Sequence, residues 1–218
     1  MFRLEGQVYR SDALARLPWV DHAFGTRLNA DPPANTATLR QIHSNTVIPA
    51  DRPGDMGAGD ALVSSAPGLA LLIRTADCLP VLIADTRRRV VAAVHAGWRG
   101  TVRQIIPETI EKMAELYGSR GEDLVIAIGP AIGGCCYEVG AEVASQFSSL
   151  FPERADLNGT TKIDLAETAI RQLRRHVGTV GQIDPSGVCT RCSADLFHSY
   201  RRDGEAAGRM FSWIRIRE

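Results

Sequence analysis

The sequence predicts a single α+β domain, on three observations. The chain has 218 residues, which suits one domain with a substantial buried core. Its strand and helix patterns do not alternate as regularly as a doubly wound α/β fold requires. The polar run Asp85–Arg89 stands between two apolar runs and indicates a hairpin turn. A turn of this kind favours a sheet that is at least partly antiparallel.

Three consecutive apolar runs predict three strands. Their length and their content of Val, Ile and Leu are typical of buried strands. They are Leu69–Ile73, Val81–Ala84 and Val90–Val94. Cys78 lies between the first two runs, and His95 follows the third. Polar side chains at the ends of rigid strands can form a site of fixed geometry.

The N-terminal half contains further strand patterns. In chain order they are Phe2–Tyr9, Trp19–Phe24 and Ile42–Ile48. The last of these places His43 near the start of a strand. Turn-rich residues Pro49–Asp60 separate it from the central runs.

After the central runs, the pattern becomes helical and then mixed. Thr101 and Gln104 resemble a capping box that opens a helix, and Gly118 is a typical stop. Pro107 lies inside this helix and predicts either a kink or a later start. The remaining predicted elements are a strand at Leu124–Ile128, helices at Val139–Leu150 and from Asp164 to Gly178, and a strand at Arg209–Ile216.

Composition excludes several classes of protein. The chain has 25 basic and 25 acidic residues, whereas a nucleic-acid-binding protein normally carries a basic surplus. The sequence shows no apolar stretch long enough to cross a bilayer, and its start lacks the apolar core of a signal peptide. Five cysteines do not form an even disulfide framework. We therefore expect a cytoplasmic protein, and a monomer.

Two histidines and a cysteine form a candidate zinc site. His43, Cys78 and His95 would supply two imidazoles and one thiolate, leaving the fourth tetrahedral position open for water or substrate. Long intervals separate the three residues, as in catalytic sites assembled from distinct elements. Spacing alone is a weak signal for zinc and favours the alternative of a buried cysteine with two unrelated histidines.

The other four cysteines do not predict a metal site. Cys135 and Cys136 are adjacent, and neighbouring side chains seldom converge on one ion, so we expect small core residues. Cys189 and Cys192 form a CxxC pair without a second such pair. We expect that pair to be structural and metal-free.

Five segments of the chain resemble one known family. They read, in order, RQIHSNTV, TADCLP, HAGWRG, IGPAIGGCCYEVG and CTRCSADLFHSYRRDG. They resemble the multicopper polyphenol oxidase or laccase-like family. Members of that family are now identified as zinc-dependent purine nucleoside phosphorylases. The resemblance implies one domain over residues 1–218, with two packed mixed β-sheets flanked by helices in a four-layer α/β/β/α sandwich. It also implies that His43, Cys78 and His95 are the ligands of a Zn²⁺ ion, with Cu²⁺ as an adventitious occupant.

The implied reaction is phosphorolysis of adenosine, inosine or guanosine to the free base and ribose 1-phosphate, with adenosine deamination as a side activity. We take Asp77 and Arg99 as catalytic candidates, since Asp77 could act as a base or orient His95 and Arg99 could place phosphate. Arg27, and Arg201 or Arg202, are candidates for substrate binding. The family has a glycine-rich insertion and a helix between the positions of Arg27 and Gln41, and this chain is shorter there. Substrate contacts from that region are therefore in doubt.

Three alternative functions remain open, and two of them use the same residues. A metal-free cysteine hydrolase would use Cys78 as nucleophile and His95 as base. A copper-dependent phenol oxidase would follow the older family label, although no methionine lies near the ligand motifs. A nucleoside- or partner-binding domain without enzymatic activity would keep the fold alone.

Overall fold

The computed structural model describes residues 1–28 and 31–218. It confirms the prediction of an α+β domain with two mixed β-sheets flanked by helices. The segment between Arg27 and Gln41 includes Asn29 and Ala30, which lie outside the described residues. Within its described part the chain forms a strand from Thr36 and no helix.

The described chain contains fifteen strands. They are β1 Phe2–Glu5, β2 Val8–Ser11, β3 Val20–Gly25, β4 Thr36–Arg40, β5 Val47–Pro49, β6 Gly54–Ala58, β7 Ala61–Ser64, β8 Ala70–Thr75, β9 Leu79–Asp85, β10 Val90–Ala96, β11 Leu124–Ile128, β12 Glu138–Val139, β13 Thr161–Lys162, β14 Gln182–Pro185 and β15 Met210–Ile216. Strands β8, β9 and β10 confirm the three strands predicted from the apolar runs, with β8 in one large sheet and β9 and β10 in the other.

The helices are fewer and mostly short. They are α1 Asp12–Ala15, α2 Trp98–Val102, α3 Ile105–Tyr117, α4 Ala141–Ala144, α5 Leu165–Gln172 and α6 Tyr200–Asp203. The side chain of Asp164 caps α5 by accepting from Glu167 N, at the predicted start of this helix. None of the helices in residues 1–28 and 31–218 combines the length and the apolar character needed to cross a bilayer.

Two large sheets carry the fold. The first has the strand order β1-β2-β3-β15-β8-β4-β6, and the second has β14-β11-β9-β10-β7-β5. Both are mixed, because β4 runs parallel to β6 and β8, β5 runs parallel to β7, and β11 runs parallel to β14. The remaining pairs are antiparallel, including the hairpin of β9 and β10 across Asp85–Arg89.

The main core lies between the two sheets. Leu71, Ile73 and Ile214 of the first sheet pack with Leu82 and Val91 of the second, and all five are fully buried. Each such side chain contributes roughly 1.5–3 kcal/mol through loss of apolar contact with water. A second apolar cluster lies on the outer face of the second sheet, beneath α3 and α5. This packing fixes the loops at the ends of β8, β9 and β10.

The helix after His95 differs from the capping-box prediction. The chain forms the short α2, breaks at Gln104 with φ 64°, and starts α3 at Ile105. Pro107 is therefore the third residue of α3, where its missing N–H has no intrahelical partner to lose. The predicted later start is correct, whereas Thr101 does not cap a helix. Gly118 ends α3 with φ 70°, as predicted.

The prediction of a strand at Ile42–Ile48 is wrong in its first half. Residues 41–46 form a loop, and β5 begins only at Val47. His43 has a left-handed φ of 58°, which a strand does not allow. This conformation is imposed from outside the segment, by the side chain of Asp60.

Candidate metal centre

Three different elements bring His43, Cys78 and His95 together. His43 lies in the loop before β5, Cys78 in the connection between β8 and β9, and His95 near the end of β10. One donor atom from each residue lies within 4.8 Å of the others. The two imidazole rings meet edge to face, with centroids 5.0 Å apart. The structure therefore assembles the three-residue group that the sequence suggests.

Asp60 organises this group and is absent from the sequence-based candidates. It is fully buried. Its carboxylate accepts hydrogen bonds from the backbone N–H groups of His43 (3.0 Å) and Ser44 (2.6 Å), and it lies 2.8 Å from His95 Nδ1. The contact leaves Nε2 of His95 free for a ligand. An acid immediately before a buried strand, as in Gly59-Asp60-Ala61, is the sequence signal that could have revealed it.

The group pairs an imidazolium with a thiolate. Burial alone would lower the pKa of His95, but hydrogen bonds with Asp60 and Cys78 raise that pKa to about 9, so a metal ion would have to displace the proton. Burial alone would raise the pKa of the Cys78 thiol, but hydrogen bonds with His43 and His95 lower that pKa to about 6. Burial also raises the pKa of Asp60, yet its hydrogen bonds to His95 and Ser44 prevail and lower it to about 2. Cys78 is thus a thiolate near neutral pH, which is the form that binds metal.

Gly97 leaves the space that an ion at this position needs. A Cβ atom on Gly97 would lie 2.9 Å from His43 Cδ2 and 3.0 Å from Cys78 Sγ. Any larger residue would therefore crowd two of the three donors. The donor set of two imidazoles and one thiolate, with one open side, fits a catalytic zinc ion.

The group lies at a cavity of about 830 Å³. Aromatic side chains and arginines dominate its lining, which also contains Asp77. The aromatic residues are Trp98, Tyr137 and Tyr200, and the arginines are Arg40, Arg74, Arg99, Arg201 and Arg209. Such a cavity has flat apolar faces for a ring system and an excess of positive charge for an anion.

Contacts with neighbouring residues fix several of these arginines. The Gln41 side-chain amide donates to Arg74 O and accepts from Arg74 N, each at 2.8 Å. The guanidinium of Arg99 lies 4.4 Å from the Trp98 ring centroid, and that of Arg201 lies 5.3 Å from the Tyr137 ring centroid. Neighbouring residues therefore position the backbone of Arg74 and the guanidinium groups of Arg99 and Arg201.

Asp77 contacts other residues than those expected. Its carboxylate accepts from Thr190 Oγ1 (2.6 Å), Ser199 Oγ (3.0 Å) and Arg201 N (2.7 Å). Asp60, and not Asp77, orients His95. The contacts of Asp77 hold the late loop and the start of α6 against the cavity.

The structure separates the predicted substrate-binding arginines. Arg99 and Arg201 line the cavity, whereas Arg27 and Arg202 are not among its lining residues. Arg27 donates to Ala194 O. Arg202 donates to the carbonyl groups of Thr190, Arg191 and Phe197 and pairs with Asp203, so it stabilises its own loop.

The prediction that Cys135 and Cys136 are core residues is wrong, whereas the prediction for Cys189 and Cys192 stays a prediction. Cys135 is exposed and is not a core residue. The Sγ atoms of Cys135, Cys136, Cys189 and Cys192 all lie within 4.8 Å of one another. The CxxC pair therefore has a partner pair, supplied by the adjacent cysteines.

Comparison with known proteins agrees with this geometry. The family model described as multi-copper polyphenol oxidoreductase laccase matches residues 19–217. The chain belongs to this family. The match covers the whole second sheet, the first sheet except β1 and β2, and all three residues of the candidate metal centre.

Members of the laccase-like family with high similarity to this chain are named purine nucleoside phosphorylases. The protein of Deinococcus radiodurans is 45% identical over 181 residues, covering 82% of this chain and 69% of that protein. The protein of Clostridium acetobutylicum is 38% identical over 178 residues, covering 81% of this chain and 75% of that protein. Both carry that name.

Solved structures share the fold. A Neisseria meningitidis protein has a TM-score of 0.80 at 32% identity and covers 92% of this chain and 95% of its own. A Bacillus licheniformis hypothetical protein, YfiH, has a TM-score of 0.88 at 27% identity and covers 99% of both chains. The laccase-like fold thus extends over nearly the whole of this chain.

The copper in the family's description has limited support from this chain. Blue-copper centres combine two His and one Cys with a weak axial methionine. No methionine is among the described residues that line the cavity. A multi-copper cluster also needs many histidines, and the chain has five.

Proposed function

We propose that the chain is a metal-dependent purine nucleoside phosphorylase that converts adenosine, inosine or guanosine and phosphate to the free base and ribose 1-phosphate. The observation that carries the proposal is the three-ligand group at the floor of a cavity lined by aromatic side chains and arginines. The names of the Deinococcus and Clostridium relatives support the same reaction.

Zinc is the proposed ion, held by His43, Cys78 and His95. A zinc ion with one open coordination position supplies a Lewis acid to an oxygen ligand of the substrate or to water. Asp60 keeps the His95 ring in the required orientation through its contact with Nδ1. Gly97 keeps the space between His43 and Cys78 clear.

Arginines of the cavity are proposed to bind the phosphate. In phosphorolysis a phosphate oxygen forms a bond to C1′ of the ribose while the C1′–N9 bond breaks, and its electron pair leaves with the purine. A guanidinium group donates two parallel hydrogen bonds to phosphate oxygens and neutralises part of their charge. Arg99 and Arg74 are the principal candidates, because both reach the cavity from the strand ends and helix that border the metal centre.

Aromatic residues are proposed to hold the purine. Trp98, Tyr137 and Tyr200 offer ring faces at the cavity. Stacking on such faces does not require one particular purine base. Burial, followed by the negative charge of Cys78, raises the pKa of Tyr137 to about 12. The phenol therefore keeps its proton at neutral pH and can donate a hydrogen bond to the base.

Three finer points belong to the same proposal. Adenosine deamination is a side activity of the same cavity, which the assay below reads as inosine. The protein is also proposed to be cytoplasmic, because a reducing compartment keeps its five cysteines from forming disulfides. The enzyme is proposed to act as a monomer, which sedimentation equilibrium can test.

A metal-free cysteine hydrolase is the second candidate, because the pKa of Cys78 is lowered to about 6 beside two imidazoles. The two candidates differ in their requirement for metal. Hydrolytic activity that survives removal of all metal by a chelator, and that disappears in Cys78→Ala, would support the hydrolase. Activity lost on chelation and restored by zinc would support the phosphorylase.

The direct experiment is chromatography of products from a panel of nucleosides, with and without phosphate. Zinc-loaded protein should release the base only with phosphate, and Cys78→Ala should abolish the release. Arg52→Ala is a matched control, since Arg52 is an exposed arginine outside the cavity. Absence of turnover of every nucleoside by zinc-loaded protein would exclude the proposed function.

A further inference from the structure

A second group of metal-capable residues lies on two loops at one edge of the second sheet. Strands β11 and β14 are parallel neighbours, so the loops that follow them leave the same edge of the sheet. The first loop carries Cys135 and Cys136, and the second carries Cys189 and Cys192. The topology therefore brings together thiols that are 56 or 57 residues apart in the chain.

The spacing of the sulfur atoms matches one tetrahedral ion. Cys192 Sγ lies 3.7 Å from Cys135 Sγ and 3.4 Å from Cys136 Sγ, and the two adjacent sulfurs are 3.7 Å apart. Four sulfurs at about 2.3 Å from a central zinc are separated from one another by about 3.8 Å. A disulfide would require about 2.05 Å between two sulfurs. The thiols are thus arranged as four separate ligands.

Backbone contacts hold the two loops together in this arrangement. Ala131 N donates to Val188 O (3.2 Å), and Thr190 N donates to Ala131 O (2.9 Å). Gly133 N donates to Cys189 Sγ at 3.3 Å, a contact that stabilises a metal-bound thiolate. The ligand group is therefore positioned by the fold itself.

Charge and exposure also favour an ion. The Arg191 guanidinium lies beside Cys136 and offsets part of the negative charge that four thiolates around Zn²⁺ would leave. Cys135 and Cys192 are exposed. Exposed free thiols at such separations would oxidise readily, whereas coordination protects them.

We propose that Cys135, Cys136, Cys189 and Cys192 bind one structural zinc ion, separate from the candidate metal centre. Four thiols would release their protons to solvent as four zinc–sulfur bonds form. Because protein ligands fill all four positions, this zinc has no open site for substrate.

Zinc at the second site would also affect the cavity, because residues next to its ligands form part of the cavity wall or contact it. Thr190 lies between two of its ligands and donates to Asp77, and Tyr137 follows another ligand and lines the cavity. Zinc at the cysteine cluster would therefore stabilise the wall against which substrate binds. This consequence is independent of the reaction that the enzyme performs.

Metal analysis of purified, tag-free protein tests the proposal. We expect about two zinc ions per chain in the parent protein and about one in either Cys78→Ala or Cys192→Ser, with almost none in the double variant. Cys192 is exposed, so its replacement removes little buried surface. Equal zinc contents in the parent protein and folded Cys192→Ser would overturn the second site.

X-ray absorption at the zinc edge of Cys78→Ala gives a test that does not depend on the folding of a cluster variant. The zinc retained in Cys78→Ala should show a shell of four sulfur ligands at about 2.3 Å. A shell with nitrogen or oxygen ligands would overturn the proposal. So would a Cys78→Ala protein that holds no zinc, or one that holds iron at the cluster.

Discussion

Asp60 Oδ1 lies 2.8 Å from His95 Nδ1, and the same carboxylate accepts the backbone N–H groups of the loop that carries His43. One fully buried acid thus positions two of the three proposed metal ligands. Burial of a charged carboxylate is costly unless hydrogen bonds compensate it. Asp60 has five such partners, so its charge is well satisfied.

Asp60→Asn should weaken zinc binding at the candidate metal centre. The amide is nearly isosteric, but its NH₂ group cannot accept the hydrogen bonds that the second carboxylate oxygen accepts. We expect zinc affinity to fall about 10- to 100-fold, as measured by competition with a chromophoric chelator. The exposed Asp51→Asn is the matched control. Unchanged affinity in folded Asp60→Asn would show that Asp60 does not position the ligands.

Gly97→Ala should weaken metal binding without disturbing the backbone. Gly97 has φ −70° and ψ 170°, which alanine adopts freely. The added methyl group would lie 2.9 Å from the His43 ring, so we expect zinc affinity to fall at least about tenfold. Gly159→Ala serves as a control, since a Cβ there meets nothing nearer than 3.9 Å. Full zinc occupancy in Gly97→Ala at limiting zinc would contradict the proposed position of the ion.

Arg99→Ala should raise the KM for phosphate by roughly tenfold or more, because a charge-assisted contact to the anion is lost. Arg27→Ala should leave that KM unchanged, since the Arg27 side chain contacts Ala194 O and does not line the cavity. Initial rates over a range of phosphate concentrations measure both. A raised KM for phosphate in Arg27→Ala, with an unchanged KM in Arg99→Ala, would indicate that phosphate binds near Arg27.

His22 should make stability fall in mild acid. Its Nε2 accepts from Ser11 N at 2.9 Å, and burial, followed by the charge of Arg10, lowers its pKa to about 4. Between pH 6.5 and 4 the unfolded chain binds a proton that the native state does not. The free energy of unfolding should therefore decrease as pH falls through this range, by roughly 3 kcal/mol in total.

Urea unfolding at a series of pH values measures this effect. His22→Gln should lose much of the pH dependence, because glutamine can accept from Ser11 N without titrating. The exposed His176→Gln should retain it. An identical pH dependence in all three proteins would exclude His22 as the source.

The central strands could be predicted because their signal is local. Continuous apolar runs bounded by the Asp85–Arg89 turn specify β9 and β10 whatever surrounds them. The conformation of His43 could not be predicted, because it depends on a tertiary contact with Asp60. The break at Gln104 likewise overrides a capping pattern that is favourable in isolation.

The metal-capable groups differ in how far the sequence revealed them. The sequence predicts His43, Cys78 and His95 as ligands, because their donor types suit zinc and because they lie in distinctive family motifs. The cysteine cluster was missed because its members come from two loops that only the parallel pairing of β11 and β14 brings together. The adjacent Cys135 and Cys136 converge because the loop turns tightly at this point, with Cys136 N donating to Gly133 O at 2.9 Å.

Phosphorus NMR of a reaction of inosine with inorganic phosphate tests the central proposal most directly. With zinc-loaded protein, a sugar phosphate signal should grow as the phosphate signal declines, in equal amount to the hypoxanthine released. Cys78→Ala should give neither product. Hypoxanthine released without a new phosphorus signal would mean hydrolysis, and would contradict phosphorolysis at this site.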